Sequence, residues 1–511
     1  MSKTFRLILG DQLNHKHSWF NSVNDSIVYV IIELEQETNY VKHHIQKVVG
    51  FFAAMRCFGD ELKAKGHQVN YITLNESKKI GSLEAIIEHL IDTLKIEEFN
   101  YQLPDELRLD NQLKDICKKI NIPSAIFDTE HFYTERDELS IQFKDKKSYL
   151  METFYRKLRK RFDILMDGDK PISGKWNYDK ENRKKLPKDH TPFPPKVFKN
   201  DVSDIIKELE ENEVDTFGEI EAKHLIWPIN RKQSLALLKH FVNNCLPLFG
   251  QFQDAMDVNN WSIYHARLSF SINTKMLSPS EVVVAAIKKW KENEDEIGLA
   301  QIEGFVRQIL GWREYMRGVY WAEMPKFKTL NYFKHKNKLP DWYWTGDTKM
   351  QCLSKSIKQS LQYAYAHHIQ RLMITGSFAL LAGCHPNEVD DWYLGIYIDA
   401  IEWVEITNTR GMSQFADGGI VGTKPYCSSA NYINKMSNYC SSCYYNPKER
   451  TGEKACPFNS LYWNFHYQQK DLLSKNPRIG MVYRNLDKMD KKVLTAILKQ
   501  AKHYLKNIND I

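Results

Sequence analysis

The sequence lacks long apolar runs. No stretch reaches about 18 apolar residues, and the longest candidate, Val282 to Ile287, suits only a strand or a short helix. The first residues, MSKTFRLILGDQL, carry two basic residues and a short apolar run but no small-residue cleavage site. We therefore expect no membrane span, a first segment that folds as a strand rather than a signal peptide, and a cytoplasmic protein.

Two common nucleotide-binding sequences are also missing. The turn after the first predicted strand reads Gly10-Asp11-Gln12, which does not match G-x-G-x-x-G. There is no Walker sequence, because the nearest match, Gly168 to Lys175, has the wrong spacing and is followed by Trp176. Both absences count against nicotinamide dinucleotide and nucleoside triphosphate sites.

The positive charge is concentrated in one segment. The 511 residues, enough for two or three domains, carry a net charge of +7. Residues 151–200 alone hold 14 Lys and Arg against seven Asp and Glu. Such local basicity favours an anionic partner. Aromatic residues make up 12% of the chain, which suits either stacking ligands or a large aromatic core.

The first third of the chain alternates predicted strands and helices. The predicted strands are Phe5 to Leu9, Ile27 to Ile32, Val69 to Leu74 and Ala125 to Phe127, and the predicted helices are Val41 to Lys65, Leu83 to Leu94 and Asn111 to Lys119. Helical crossovers between short buried strands predict an α/β region with a parallel sheet. Any ligand should lie at the carboxyl ends of the strands.

The remainder divides into a connection and a helical region. From Arg136 to Phe217 we predict a basic helix, Tyr155 to Phe162, and a Pro- and Lys-rich loop. After Phe217 the pattern is almost entirely helical, with predicted helices at Arg231 to Phe249, Pro279 to Asn293, Ile302 to Trp321, Ser354 to His368, Ile369 to Ala382, Trp392 to Val404 and Lys488 to Lys506. The predicted domains are residues 1–135, 136–217 and 218–511, the last of them all-α.

The cysteines favour a metal site. Cys440-Ser-Ser-Cys443 presents two thiolates to one centre, and Cys456 is followed by Pro, as is frequent for the last ligand of an iron-sulfur cluster. A zinc ribbon would usually supply a second Cys-x-x-Cys, which is missing. Spacing alone leaves three candidates for a fourth ligand: Cys352, Cys384 and Cys427. Iron-sulfur, zinc and free core thiols all remain open at this point.

Histidines and acids form two further candidate groups. A neighbour pair, His367 and His368, could supply a proton donor to a reacting oxygen or nitrogen, although most such histidines are structural. Asp399, Glu402 and Glu405 follow at a spacing of three residues and could share one helical face toward Arg371 or a polar ring edge. A solvated charged face is the alternative.

A third group suits a phosphate ligand. The stretches HARLSFS from His265, FVRQ from Phe305 and WREY from Trp312 supply hydroxyls and amides near predicted helix starts. Each stretch is a weak signal by itself.

The order of these motifs resembles that of the photolyase and cryptochrome superfamily. The segment ILGDQL, the E-x-x-Y-V-x-H-H segment from Glu37, GMSQFADGG from Gly411, GTKPY from Gly422 and NYCSSC from Asn438 look like its bacterial iron-sulfur branch, the prokaryotic (6-4) photolyases and their cryptochrome relatives. The resemblance covers essentially the whole chain.

The resemblance implies three cofactors. A [4Fe-4S] cluster would be held by Cys352, Cys440, Cys443 and Cys456. An antenna, 6,7-dimethyl-8-ribityllumazine, would lie in the N-terminal α/β domain against Asp11 and Glu37. The helical domain would bind FAD through Ser269, Ser271, Gln308, Arg371, Asp399 and Glu405.

The resemblance also implies catalytic positions. His367 and His368 match the active-site pair, Glu405 the flavin-facing acid and Tyr426 a lesion-side tyrosine. The electron-transfer aromatics match Trp344, Trp392 and Tyr393, and the second catalytic histidine of eukaryotic (6-4) enzymes is replaced by Leu372. Proton transfer is therefore expected from His368 alone.

The expected activity is light-driven repair of (6-4) pyrimidine-pyrimidone photoproducts, by a monomer whose partner is DNA carrying ultraviolet lesions. One alternative keeps the fold and cofactors but acts as a blue-light photoreceptor without repair. The other is a zinc protein that binds nucleic acid without catalysis. His367, His368 and Tyr426 favour repair, because a receptor needs no proton donor facing a lesion.

Overall fold

A five-stranded parallel sheet organises the N-terminal region of the computed structural model, which describes residues 3–146 and 149–511. The strands are β1 (Thr4–Ile8), β2 (Ile27–Ile32), β3 (Gln68–Ile72), β4 (Glu98–Gln102) and β5 (Ser124–Phe127). Their order is β3-β2-β1-β4-β5, and all pairs are parallel. The chain winds outward on both sides of β1, so the order reverses between β1 and β4, where such sheets bind ligands.

Helices cover this sheet, as predicted for an α/β region. They are Gln36–Asn39, Ile45–Ala64, Leu74–Ile80, Leu83–Leu94 and Leu107–Lys119. The next helix, Glu138–Gln142, packs instead against the helix Glu314–Glu323, where Leu139 lies close to Gly318. Local sequence fixes two starts: the Ser82 side chain accepts the Ala85 N–H, and Thr73 with Glu76 forms a capping box.

Strand β4 is absent from the sequence prediction. Its five residues alternate Glu98, Asn100 and Gln102 with aromatic residues, so it does not read as a buried central strand. Asn100 and Gln102 are nevertheless buried, 3% and 0% exposed.

The connection between the regions contains few regular elements. Its helices are Met151–Arg161 and Ser203–Glu211, and Met166–Asp167 pairs with Lys170–Pro171 in a two-residue ladder. A second short pairing joins His43–His44 to Thr216–Phe217, in parallel. The basic helix, predicted to begin at Tyr155, begins four residues earlier, at Met151.

The remainder of the chain is helical, as predicted. Its α-helices are Arg231–His240, Leu246–Phe252, Ser269–Asn273, Pro279–Glu292, Leu299–Val306, Glu314–Glu323, Gln351–Tyr363, Ser377–Leu381, Pro386–Ile396, Glu402–Ile406, Ala430–Met436, Pro457–Gln468, Lys470–Leu473, Gly480–Asp487 and Lys491–Lys506. Short 3₁₀ turns include Asp341–Trp344 and Tyr439–Ser442. Within the described ranges, no helix has both the length and the apolar character that crossing a bilayer requires.

Four wider, π-helical turns interrupt these helices. They span Phe241–Cys245, Arg307–Arg313, Gln370–Gly376 and Thr407–Ser413. The expected helix Ile302 to Trp321 contains one, and the expected helix Ile369 to Ala382 begins with another. Such turns often occur at functional sites. Three of these four turns line one shared cavity, which is therefore a candidate site.

The predicted helix Trp392 to Val404 is wrong. The chain leaves the helix Pro386–Ile396, and the Ile398 N–H bonds to the Ala364 carbonyl instead of continuing the helical pattern. A new helix begins only at Glu402. The helix predicted as Ser354 to His368 likewise ends at Tyr363, because Ala364 adopts a left-handed backbone with φ of 50°.

Candidate functional site

A first cavity lies at the carboxyl ends of β1, β2 and β4. Gly10 and Asp11 follow β1, Glu37 follows β2, and Asp105 follows β4. Trp403 of the helical region closes the opposite side. The structure thus brings Asp11 and Glu37, the two positions that the resemblance implied, to one cavity at the carboxyl ends of the strands.

The charged groups of this cavity are paired in its wall. Lys275 lies 2.7 Å from Asp105 and 3.3 Å from Asp11, and Arg108 makes a two-pronged contact with Glu37 at 2.6 and 2.9 Å. Burial, with the neighbouring Glu37 charge, raises the pKa of Glu106 to about 8. The paired wall suits an uncharged ligand better than a phosphate ester.

Several polar atoms of the same wall have no partner. Both ring nitrogens of His43, the indole N–H of Trp403 and Oδ1 of Asp105 are buried without a hydrogen bond. Buried polar groups are normally satisfied, so these atoms are available to a ligand with carbonyls and hydroxyls. Sequence reasoning missed His43 and Trp403, although His43 lies within the E-x-x-Y-V-x-H-H segment.

A second, larger cavity lies within the helical region, with a volume of about 320 Å³. Three of the π-helical turns contribute to its wall. Eight of the predicted site residues line it: Ser269, Gln308, His367, His368, Arg371, Tyr393, Asp399 and Glu405. The structure therefore assembles residues that are more than 130 positions apart in sequence.

Asp399 is the polar centre of this cavity. It accepts a hydrogen bond from Ser269 Oγ at 2.6 Å and pairs with Arg371 at 3.0 Å. The expectation that Asp399, Glu402 and Glu405 share a helical face is wrong, because Asp399 precedes the helix. Glu402 points elsewhere and bonds to Tyr320 and Lys328 at 2.5 and 3.0 Å.

Glu405 supplies an unpartnered acid to the cavity wall. It is 6% exposed, and its Oε1 has no hydrogen-bond partner. Burial, reinforced by the charge of Asp390, raises the pKa of Glu405 well above its usual range. Asn408, which the sequence analysis did not single out, lies on the same wall. The raised pKa of Glu405 favours the protonated form, which could donate a hydrogen bond to the edge of a polar ring.

The two histidines have different environments. His367 is buried, its ring stacks on His265 at a centroid distance of 4.6 Å, and both its ring nitrogens are unpartnered. His368 is open to water from the cavity. The dense protein around it and the charge of Arg371 nevertheless lower the pKa of His368 to about 4. Leu372 lines the same cavity and carries no proton.

Ser271 and Tyr426, a predicted FAD contact and a predicted catalytic residue, do not line this cavity. Ser271 is fully buried with an unpartnered hydroxyl and lies outside the cavity wall. Tyr426 is half-buried beside Gly422 and the Lys424 side chain, and the charges of Asp179 and Arg183 influence its hydroxyl. Tyr426 therefore faces the connection rather than the enclosed space.

The predicted aromatic chain is continuous over only two of its three members. Tyr393 lines the cavity, and its ring lies 5.2 Å from that of the fully buried Trp392. Trp392 next contacts Tyr343 at 5.1 Å, a residue the sequence analysis missed. Trp344 is 42% exposed and contacts Phe217.

The four predicted cluster cysteines line one small cavity: Cys352, Cys440, Cys443 and Cys456. All are free thiols. Cys384 and Cys427, the competing candidates, do not line it. Among the described residues, no three His, Cys, Asp or Glu side chains converge closely enough to hold a metal ion. The thiols thus surround a space instead of meeting at a point.

Part of the local basic charge is structural. Arg159 is 1% exposed and bonds to the carbonyls of Ile164 and Leu165. Arg183 pairs with Asp179. Lys184, Lys185 and Lys188 are exposed. These lysines are among the exposed cations that the segment could offer to an anionic partner.

Comparison with known proteins agrees with this architecture. Residues 6–225 match the family model described as deoxyribodipyrimidine photo-lyase-related protein. The chain is 39% identical to a (6-4) photolyase of Agrobacterium fabrum over 511 aligned positions, 98% of this chain and 99% of that protein.

Two solved structures share the fold. A bacterial class III photolyase from Agrobacterium tumefaciens has a TM-score of 0.58 at 15% identity, over 100% of this chain and 92% of that one. A cryptochrome from Synechocystis has a TM-score of 0.53 at 12% identity, over 81% and 82%. Together with the full-length sequence match, these likenesses mean that the chain belongs to the photolyase and cryptochrome superfamily, within its branch of bacterial (6-4) photolyases.

Proposed function

We propose that the protein uses light to repair (6-4) pyrimidine-pyrimidone photoproducts in DNA. The observation that carries the proposal is His368, a histidine open to water in a cavity that also holds the Arg371–Asp399 pair and the buried Glu405. A lesion must leave the base stack to reach such a cavity. The full-length likeness to a (6-4) photolyase supports the same activity.

The larger cavity is the proposed FAD site. Ser269 and Arg371 stand on either side of Asp399, and Gln308 lies on an adjoining turn, so hydroxyl, cationic and amide groups are available to a dinucleotide. Glu405, with its free Oε1, would donate to a polar ring edge. When bound, reduced FAD would supply the electron for repair on illumination.

His368 is the proposed proton donor to the group that moves between the two lesion bases. Its pKa of about 4 in the free protein means that it is neutral near pH 7. Phosphates of bound DNA would raise this pKa by favouring the imidazolium. Leu372, on the same wall, has no titratable group and so offers no second donor at its position.

The smaller cavity is the proposed antenna site for 6,7-dimethyl-8-ribityllumazine. This molecule carries no phosphate, and its ring carbonyls and ribityl hydroxyls can use the unpartnered groups of His43, Trp403 and Asp105. Asp11 and Glu37 remain the expected polar contacts at the strand ends.

The four-cysteine cavity is the proposed [4Fe-4S] site. Cysteines that surround a space suit a cluster of several irons better than one zinc ion. Cys443→Ala should lose the iron and destabilise the C-terminal region, since a bound cluster contributes folding energy. Cys117→Ala is the matched control, and full iron content in Cys443→Ala would contradict the site. Iron is measured on purified protein.

Tyr393 and Trp392 are the proposed residues that pass an electron to the larger cavity. Their rings are in contact, and the Trp392 ring also contacts that of Tyr343. The ring of Trp344 contacts Phe217 rather than Trp392 or Tyr393, so Trp344 is not a direct neighbour of this pair in electron transfer.

The remaining assignments are the domain limits and the context of action. We propose an antenna domain at residues 1–135, a connection at 136–217 that offers Lys184 and Lys185 to DNA phosphates, and a catalytic domain at 218–511. We further propose that the protein acts as a cytoplasmic monomer on damaged DNA.

Illumination of the reduced protein with an oligonucleotide carrying one defined (6-4) lesion tests the function. Restoration of the two bases, measured by chromatography, is expected. A matched oligonucleotide with a cyclobutane dimer is the control for lesion class, and a dark sample is the control for light. If the (6-4) lesion persists under reducing light, the photoreceptor alternative replaces repair.

A further inference from the structure

A buried amide lies between the cysteine cavity and the histidine segment. Gln370 is 1% exposed. Its Nε2 donates to the Tyr439 hydroxyl and to Gln359 Oε1, both at 2.9 Å. Its Oε1 accepts from the His367 backbone N–H at 3.1 Å and from Gln359 Nε2 at 3.0 Å. Both amide protons and both lone pairs are therefore used.

Both side-chain partners of Gln370 are tied to the cysteines. Tyr439 is the residue before Cys440 and lines the cysteine cavity. Gln359 lies on the helix Gln351–Tyr363, seven residues and two turns after Cys352, and so on the same helical face. The amide thus joins two cysteine-bearing segments to the backbone of His367.

The same network fixes the loop that carries the histidines. Gln359 Nε2 also reaches the Tyr365 carbonyl at 3.1 Å, and the Arg371 N–H bonds to the His367 carbonyl at 3.1 Å. His368 therefore begins its turn from a backbone held on both sides. Sequence spacing contains no sign of this, because Gln359, Gln370 and Tyr439 are brought together only by the fold.

We propose that Tyr439, Gln370 and Gln359 are positioning residues that set the orientation of His368 and couple it to the four-cysteine group. The proposal rests on the proposed catalytic role of His368. A buried amide with a lost partner shifts to regain one, and small displacements of a reacting group are costly in rate. The cysteine group would then support catalysis indirectly, by fixing the positions of the two segments that hold Gln370 and, through it, the backbone next to His368.

Tyr439→Phe removes one hydroxyl and keeps the ring beside Cys440. Repair per absorbed photon should fall about threefold to tenfold, the effect of one lost hydrogen bond, with iron and flavin content unchanged. In a His368→Ala background the same change should cost nothing further, because the positioned group is gone.

Tyr504→Phe is the matched control. Its hydroxyl donates to the Ala455 carbonyl at 2.6 Å, beside Cys456, and has no contact with Gln370. Repair close to that of the parent is expected in Tyr504→Phe. Equal losses in Tyr439→Phe and Tyr504→Phe, or iron loss in Tyr439→Phe, would overturn the proposal.

A second readout is independent of repair. In protein labelled with ¹⁵N-histidine, the signals of His367 and His368, assigned among the 17 histidines by single substitutions, should move in Tyr439→Phe but not in Tyr504→Phe. Unmoved signals together with parental repair contradict the network. If the parent repairs nothing while these signals move, the proposed function fails and the positioning network stands.

Discussion

The two cavities proposed as the antenna and FAD sites differ in the polar groups that they leave unpaired. The cavity at the strand ends matches its carboxylates to Lys275 and Arg108 within the wall and leaves neutral donors such as His43 and Trp403 unpartnered. The helical cavity presents an ion pair, Arg371 and Asp399, and an open histidine. The first arrangement suits an uncharged resident molecule. The second suits a site where charge and protons change during reaction.

His368→Ala should impair only the function of the helical cavity, and it should lower repair more than any other substitution considered. Loss of a well-placed acid lowers rate by roughly 10² to 10⁴, so repair of the (6-4) oligonucleotide should nearly vanish. Binding of the lesion, flavin content and the antenna absorption should remain. The surface variant His503→Ala is the control, and parental repair in His368→Ala would refute the catalytic role.

Glu37→Ala should impair only ligand binding at the cavity at the strand ends. Loss of a charged hydrogen bond costs about 1.5–3 kcal/mol, or roughly 10- to 100-fold in antenna affinity. Absorption of the antenna should disappear while flavin stays, and repair should fall only at wavelengths that the antenna harvests. Glu35→Ala, two residues earlier, is the control. A variant that loses flavin and keeps the antenna would reverse the assignment of the two cavities.

The pH dependence of repair should report on the helical cavity. The pKa of His368 is lowered to about 4. At any pH above this pKa, a decrease of one pH unit increases the protonated fraction of His368 about tenfold. Repair at saturating lesion should therefore rise from pH 8 toward pH 6 and level off at the pKa of the DNA complex. The rise should be missing in His368→Ala. A rate that drops steadily with acidification would contradict a protonated donor.

Replacing Lys184 and Lys185 by Gln should have the smallest effect, outside both cavities. Each lost phosphate contact flattens the dependence of log affinity on log salt by about 0.9, so binding should weaken alike for damaged and intact duplex. Filter binding over a range of salt concentrations measures it, with the paired Lys175→Gln as the control. A loss confined to lesion DNA would make this segment a lesion reader.

The sequence was most informative where structure is local. Strand β1 and the capped helix Leu83–Leu94 follow from apolar spacing, and a cavity at the carboxyl ends of the strands follows from the rule for parallel sheets. The positions Asp11 and Glu37 came from the family resemblance. Strand β4 was not predictable in this way, because its buried polar residues acquire their environment from neighbouring strands.

The site was predictable in its residue types but not in its orientations. The Asp399–Arg371 pair is one of the alternatives that the sequence left open. The helix predicted for Asp399 is absent, because the Ile398 N–H bonds to Ala364 across the fold. Ser271 and Ser269 are two positions apart, yet only Ser269 reaches the cavity. Such differences depend on tertiary hydrogen bonds, which periodicity does not encode.

The short helix Glu402–Ile406 touches both cavities: Trp403 closes the one at the strand ends, and Val404 and Glu405 line the other. The N-terminal α/β region therefore does not by itself form the whole wall of the proposed antenna site. A fragment ending near residue 135 would lack the Trp403 wall and bind weakly. Exchange of this region between relatives would succeed only when the recipient's helix presents a matching aromatic surface, so the two halves are expected to change together during evolution.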